Sequence, residues 1–199
     1  MLFGDFERQA IFESGDGRAA LRERCPQLSS HRLSANCRNL PRIGYVANTF
    51  SGLDPGYARF RRTDDGIDPT FLKFEAGTDQ STLLVDAVQQ LRGDGYELNE
   101  IVVLSPVRLT SAAETTTDGW LRQVLHRVDG GSERPGQLRY ATIQAFKGLE
   151  APAVILTDLD QDLVPGFQSL LYIGLTRATD RLVALIEAQT LRAGLGGFT

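Results

Sequence analysis

The sequence is poor in the residues that staple or anchor a fold. Two cysteines (Cys25, Cys37) and two histidines (His31, His126) in 199 residues exclude a disulfide framework and a Cys/His structural zinc site. No apolar run approaches the ~20 residues that span a bilayer. The opening MLFGDFERQA, with Asp5, Glu7 and Arg8, lacks the apolar centre of a signal peptide. A cytoplasmic protein without membrane association is expected. An excess of positive charge is also lacking: 21 Lys and Arg stand against 25 Asp and Glu, for a net charge of −4. Phosphate therefore finds no global attraction, and a nucleic-acid site has to be a local groove of cations and backbone donors. The phosphate-cradling pattern GxxxxGK[ST] does not occur; the nearest pair, Lys147-Gly148, is reversed.

What is present suffices for one self-supporting domain. With 42% hydrophobic and 23% charged residues, a chain of this length buries about 70% of its unfolded surface. Neither a repeat nor a low-complexity tract divides it, so residues 1–199 read as a single domain with a frayed tail over 193–199. Strand-like and helix-like apolar patterns alternate, which predicts an α/β fold with a mainly parallel sheet and helices on both faces. Strands are expected at 70–75, 101–105, 138–143, 153–157 and 181–186. The continuously apolar Ile101-Val-Val-Leu104 and Val154-Ile-Leu156 suit strands covered on both sides. Helical periodicity runs through Leu84/Val88/Leu91, Trp120/Val124/Leu125/Val128 and Leu170/Leu171/Gly174/Leu175/Ala178. A further helix follows Asn39, with Pro41 in its first turn, and Gly- and Pro-rich loops fill 51–69 and 129–136.

Several patterns mimic sites. Gly15, Gly17 and Ala20 form GxGxxA without a preceding strand or a following acid, and read as a turn with a helix start. Asp158, Asp160 and Asp162 open like a calcium loop, but the sixth position is Leu163 and the twelfth Ser169, so a polar loop past a strand end is the better reading. Tyr57-Ala-Arg-Phe-Arg-Arg62 interleaves aromatics with cations, as a single-strand clamp does; a solvated loop is the plainer reading. Thr142-Ile-Gln-Ala-Phe-Lys-Gly-Leu-Glu150 differs in kind. It is a strand end, a turn and a second buried strand, with Thr142, Gln144, Lys147 and Glu150 projecting from the connection. Polar groups at strand ends of an open sheet are where ligands bind in α/β folds. In Leu171-Tyr-Ile-Gly-Leu-Thr-Arg-Ala-Thr-Asp-Arg-Leu182, Arg177 interrupts an apolar helical stripe, as a structural salt bridge or as a bidentate phosphate ligand.

These two segments resemble motifs V and VI of superfamily 1 DNA helicases of the UvrD/Rep/PcrA type. Gly4-Asp-Phe-Glu-Arg-Gln-Ala-Ile-Phe12 resembles motif III, and Leu33-Ser-Ala-Asn-Cys-Arg-Asn39 resembles motif IV, usually Asn-Tyr-Arg-Ser. The resemblance covers nearly the whole chain in the family's order. It implies a RecA-like, P-loop-NTPase-type fold acting as the second, C-terminal motor half without the P-loop. Its counterpart would be an N-terminal RecA-like half of the same parent chain, with Met1 marking a truncation point. ATP and Mg2+ would lie in the cleft, held mainly by that other half and not tightly by this one. Arg38 and Arg177 would be the arginine fingers and Gln9 the γ-phosphate sensor, with Glu150 near the ribose and Gly148 beside it. Thr142 and Gln144, the latter replacing the family's usual His, would contact the backbone of single-stranded DNA near Ser105. Movement 3′ to 5′ is implied for the intact protein. Only residues 106–137 are available where the family carries a large inserted subdomain. A stand-alone regulatory or DNA-binding module with the same fold, or a helicase-like part of a nuclease, are the alternatives.

Overall fold

A computed structural model describes residues 23–27, 34–51, 56–128 and 135–196. Its elements in chain order are β1 (Ala35–Asn36), α1 (Pro41–Ser51), β2 (Arg59–Phe60), β3 (Thr70–Phe74), α2 (Ser81–Gly93), β4 (Ile101–Ser105), α3 (Ala112–Thr115), α4 (Leu121–Val124), β5 (Leu125–Arg127), β6 (Leu138–Thr142), β7 (Ala151–Leu159), α5 (Phe167–Leu175), β8 (Ala178–Glu187) and α6 (Ala188–Gly196). The main sheet has six strands in the order β3-β8-β7-β4-β6-β5, and all of its pairings are parallel. β1 and β2 pair separately, also in parallel.

The period of two along a strand explains why the central strands are apolar throughout. Val102, Leu104, Val154, Leu156, Ala184 and Ile186 point to one face, where α1 and α5 cover them with Ile43, Ala47, Leu170 and Leu171. Ile101, Val103, Ala153, Ile155, Val183 and Leu185 point to the other, against Leu84, Val88 and Leu91 of α2, Ala113 of α3 and Leu121 of α4. The expected α/β fold, a parallel sheet between helices, is the fold observed.

Three local expectations are corrected. The helix expected to run from Trp120 to Val128 stops at Val124, and Leu125–Arg127 pairs with β6 as an edge strand, Leu125 opposite Leu138. The apolar residues there serve helix and strand periods equally, and the open edge of β6 decides between them. The 51–69 loop contains β2, paired with β1. At the C-terminus α6 runs to Gly196, into the expected frayed tail. Glu187 caps its first turn by accepting from Thr190 N at 2.7 Å. Among the described residues no helix is long and apolar enough to cross a membrane.

The connections place the functional edges. β4 leaves the sheet toward the α3 face, with Ala113 packed there. β6, its parallel neighbour, leaves toward the α5 face, where Ile143 and Phe146 are buried. A crevice opens between two such strand ends, at the C-terminal edge of the sheet. The connection 143–150 then returns to the N-terminal edge, where β7 and β8 begin.

Candidate functional site

At the N-terminal edge, Ala151 starts β7 and pairs with Ala178, which starts β8. The loop after β1 is held against them by Leu40 N, which donates to Thr179 O at 3.0 Å. Residues far apart in sequence thereby meet. Arg38 Nε lies 2.8 Å from Glu150 Oε2, with side chains 39% and 55% exposed. Gly148, two residues earlier, adopts φ +94°, a backbone state that L side chains resist. Exposed Leu149 lies between them.

Arg177 lies beneath this pair. Its guanidinium does not face solvent: the residue is 2% exposed and is the largest of the fully buried side chains. Nε donates to Ile173 O at 3.0 Å, Nη1 to Leu149 O at 3.1 Å and Nη2 to Thr176 Oγ1 at 3.1 Å. At the end of α5 the Arg177 N–H closes on Gly174 O, so Ile173 O, at the negative end of the helix dipole, is left to side chains and the cation turns back onto it. These partners are neutral oxygens, not a carboxylate. Burial lowers the Arg177 pKa, the nearby Arg38 charge lowers it further, and Tyr172, Tyr57 and Glu150 oppose the shift. Gln9, the fifth residue assigned to the nucleotide, lies outside the described residues, as do the motif III segment and the Gly15/Gly17/Ala20 pattern.

The C-terminal edge holds Thr142, Gln144 and Ser105. Thr142 Oγ1 accepts from Ala145 N at 3.1 Å and caps the turn, which leaves its own O–H free to donate. The Gln144 Oε1 atom is buried and finds no partner among the described residues. Ser105 is not a surface group. It is 3% exposed; its hydroxyl donates to Asp158 Oδ2 at 2.8 Å and accepts from Val107 N at 3.1 Å. Its single O–H donor is spent on Asp158, so it has none left for a phosphate oxygen.

Asp158 is the residue that sequence reasoning undervalued. It takes φ 59° and accepts from Ser105 Oγ, Thr157 Oγ1, Gln80 Nε2 and Ala112 N at 2.7–3.1 Å. It therefore joins β4, β7, α2 and α3. The pattern of alternating aspartates was visible; the neutral donors around the first of them were not. Among the described residues no group of three His, Cys, Asp or Glu could hold a metal.

A shallow groove beside these residues is lined by Arg108, Glu114, Arg127 and Tyr140 together with Ser105 and Thr142. Tyr140 O–H donates to Glu114 Oε2 at 2.8 Å; burial, then this bond, pushes the phenol up to about 12. In the Tyr57–Arg62 stretch both aromatic side chains have partners within the chain. Tyr57 and Tyr172 hydroxyls lie 2.6 Å apart, and Phe60 packs edge-on against Tyr45 and Tyr57.

Residues 138–185, from β6 through most of β8, match the family model of the UvrD-like helicase C-terminal domain. Over that stretch the chain is similar to a UvrD-like helicase C-terminal domain. The matched stretch contains Thr142, Gln144, Gly148, Glu150 and Arg177; Arg38 and Ser105 lie before it. Among solved structures, the C-terminal domain of a possible DNA helicase from Lactobacillus plantarum WCFS1 superposes with a TM-score of 0.58 at 15% identity, over 76% of this chain and 88% of that one. At that identity the likeness is one of fold alone. No curated protein matches the chain.

Proposed function

We propose that this UvrD-like chain is the C-terminal motor half of an ATP-dependent DNA helicase or translocase. In this reading it closes on ATP and Mg2+ held by an N-terminal RecA-like half. Arg38 and Arg177 meet the γ-phosphate, Glu150 the ribose with Gly148 beside it, and Gln9 senses the γ-phosphate. Thr142 and Gln144 hold the backbone of single-stranded DNA at the opposite edge, supported by Ser105.

One observation carries the reading: Arg38, Glu150 and Arg177, drawn from three distant segments, gather at one sheet edge around an exposed ion pair. Phosphoryl transfer needs charge delivered in line to the γ-phosphate, which a guanidinium supplies in the closed state. The residues fit ATP as a second wall. They offer cations, while the backbone cradle that grips the phosphates is missing from the sequence and no acidic cluster for Mg2+ stands among the described residues. Because Arg177 rests folded back on α5, its part in the reaction requires the side chain to swing outward on closure.

The burial of Arg177 also supports a second reading, a stand-alone DNA-binding module in which this arginine only braces the α5–β8 turn. A DNA-stimulated ATPase assay of the two-half motor separates them. Under the motor reading Arg177→Ala lowers kcat by about 10³–10⁵ with ATP and DNA binding kept. Unchanged turnover in Arg177→Ala makes this arginine a brace only, and the absence of DNA-stimulated turnover in the two-half protein selects the module. Glu150→Ala raises the KM for ATP more than it lowers kcat, since a ribose contact exists in both ground and transition states.

A further inference from the structure

Two buried asparagines, Asn36 and Asn39, exposed by 4% and 1%, join the loops that carry the two arginines. Asn36 Oδ1 accepts from the backbone N–H of Arg38 and of Asn39, each at 3.0 Å. This fixes the turn from which Arg38 projects. Asn36 Nδ2 donates to Asn39 Oδ1 at 2.9 Å. Asn39 Nδ2 then donates to Thr176 O at 3.1 Å and to Ala178 O at 2.5 Å. Those carbonyls belong to the residues on either side of Arg177.

The orientation of the Asn39 amide is forced. Two backbone carbonyls only accept, so the NH2 must face them, and the oxygen is left for Asn36. Every polar atom of the Asn39 side chain is used, and a buried network satisfied in this way is rigid. Arg62 adds a brace from outside, with Nη1 donating to Arg38 O at 3.2 Å and to Thr179 O at 2.8 Å.

We propose that Asn39, held in place by Asn36, is a positioning residue that fixes Arg38 and Arg177 relative to each other, so that both reach one phosphate group in a single closing movement. The inference rests on the motor reading given above and adds to it the part that sets the spacing of the two cations. Asn39 touches neither nucleotide nor DNA; it acts through the backbone of its neighbours.

The test uses the two-half motor on single-stranded DNA with Asn39→Asp, Asn39→Ala and Asn39→Ser. Asn39→Asp is nearly isosteric but turns an oxygen toward two carbonyls, and is expected to lower kcat about 10²-fold, the size of a 1 Å misplacement. The KM for ATP moves less than about threefold, because the substrate is held by the other half. Asn39→Ser, which keeps one donor, recovers part of the loss. In an Arg38→Ala background the further effect of Asn39→Ala shrinks, as it must if the residue works through the arginines. In this chain by itself, amide exchange in Asn39→Ala quickens at Leu40, whose N–H bonds Thr179 O, and stays unchanged at Asp94.

A kcat within about twofold of the parent in Asn39→Asp overturns the inference and leaves the motor reading standing; if that variant does not fold, the same result in Asn39→Ser does so. An undiminished effect in the Arg38→Ala background also overturns it. Full turnover in both Arg38→Ala and Arg177→Ala overturns the motor reading, and the inference with it.

Discussion

Arg38→Ala separates the stability of the fold from the chemistry assigned to it. The Arg38–Glu150 pair is short, 2.8 Å, but its side chains keep 39% and 55% of their surface in water. Two unit charges about 4 Å apart attract by ~1 kcal/mol in water. Ordering two long side chains takes back part of that, and exposed pairs contribute about 0.2–1 kcal/mol. For a domain of this length, 1 kcal/mol corresponds to roughly 2–4 °C in the melting midpoint. The midpoint of Arg38→Ala should therefore fall by ~4 °C at most, and the gap should narrow in ~1 M salt, where the screening length shrinks to ~3 Å. Turnover should respond on another scale. Removing a cation from the γ-phosphate in the transition state costs about 10³-fold, which is ~4 kcal/mol of barrier. Melting of the chain at low and high salt, beside the DNA-stimulated ATPase rate of the two-half motor, measures both. A midpoint lowered by more than ~6 °C would make the pair a structural one. Turnover within about threefold of the parent would refute the assignment of Arg38 to the phosphate.

Asp158→Ala leaves the hydrogen-bond donors of Ser105, Thr157, Gln80 and Ala112 without their acceptor; urea unfolding should show a loss of ~3 kcal/mol, and a loss under ~1 kcal/mol would mean that the site relaxes or takes up water. Gly148→Ala meets open space but keeps φ +94°, so it should cost about 1–2 kcal/mol from the backbone alone, and an unchanged midpoint would contradict that origin. Tyr140 holds its proton more tightly in the folded than in the unfolded chain, so its contribution to stability is intact below pH ~10 and is lost as pH rises through about 12; the phenolate absorbance step near that value should be missing in Tyr140→Phe. This chain alone, lacking the GxxxxGK[ST] pattern, should not hydrolyse ATP with or without single-stranded DNA, and turnover that survives purification and disappears in Arg177→Ala would refute this.

The fold was legible where burial is two-sided. Ile101-Val-Val-Leu104 and Val154-Ile-Leu156 read as sheet centre because nothing in them is polar, and both lie there. Leu125 and Val128 were misread because a short apolar run does not distinguish a helix stripe from an edge strand, and the free edge of β6, remote in sequence, decides. Within the site, the segments 142–150 and 171–181 carried the resemblance, but not which arginine is presented and which is folded away. That depends on Ile173 O at the end of α5 and on Leu149 O, a matter of backbone geometry. Ser105 ends β4 as expected, yet whether its hydroxyl points to solvent or to Asp158 is settled by a residue on another strand.

The strand order sets a timetable for folding. β3 lies at one edge of the sheet, and β8 is its one neighbour there, with Thr70 opposite Val183 and Phe74 opposite Glu187. More than a hundred residues separate the partners, so during synthesis β3 leaves the ribosome long before the strand that completes it. All of the sheet's pairings are parallel, and none can be nucleated by a tight hairpin; each waits on closure of a longer loop. High contact order of this kind slows folding and lengthens the time that unpaired apolar strands stay exposed. A nascent chain that stops short of β8 would leave Phe71 and Phe74 without a sheet to join.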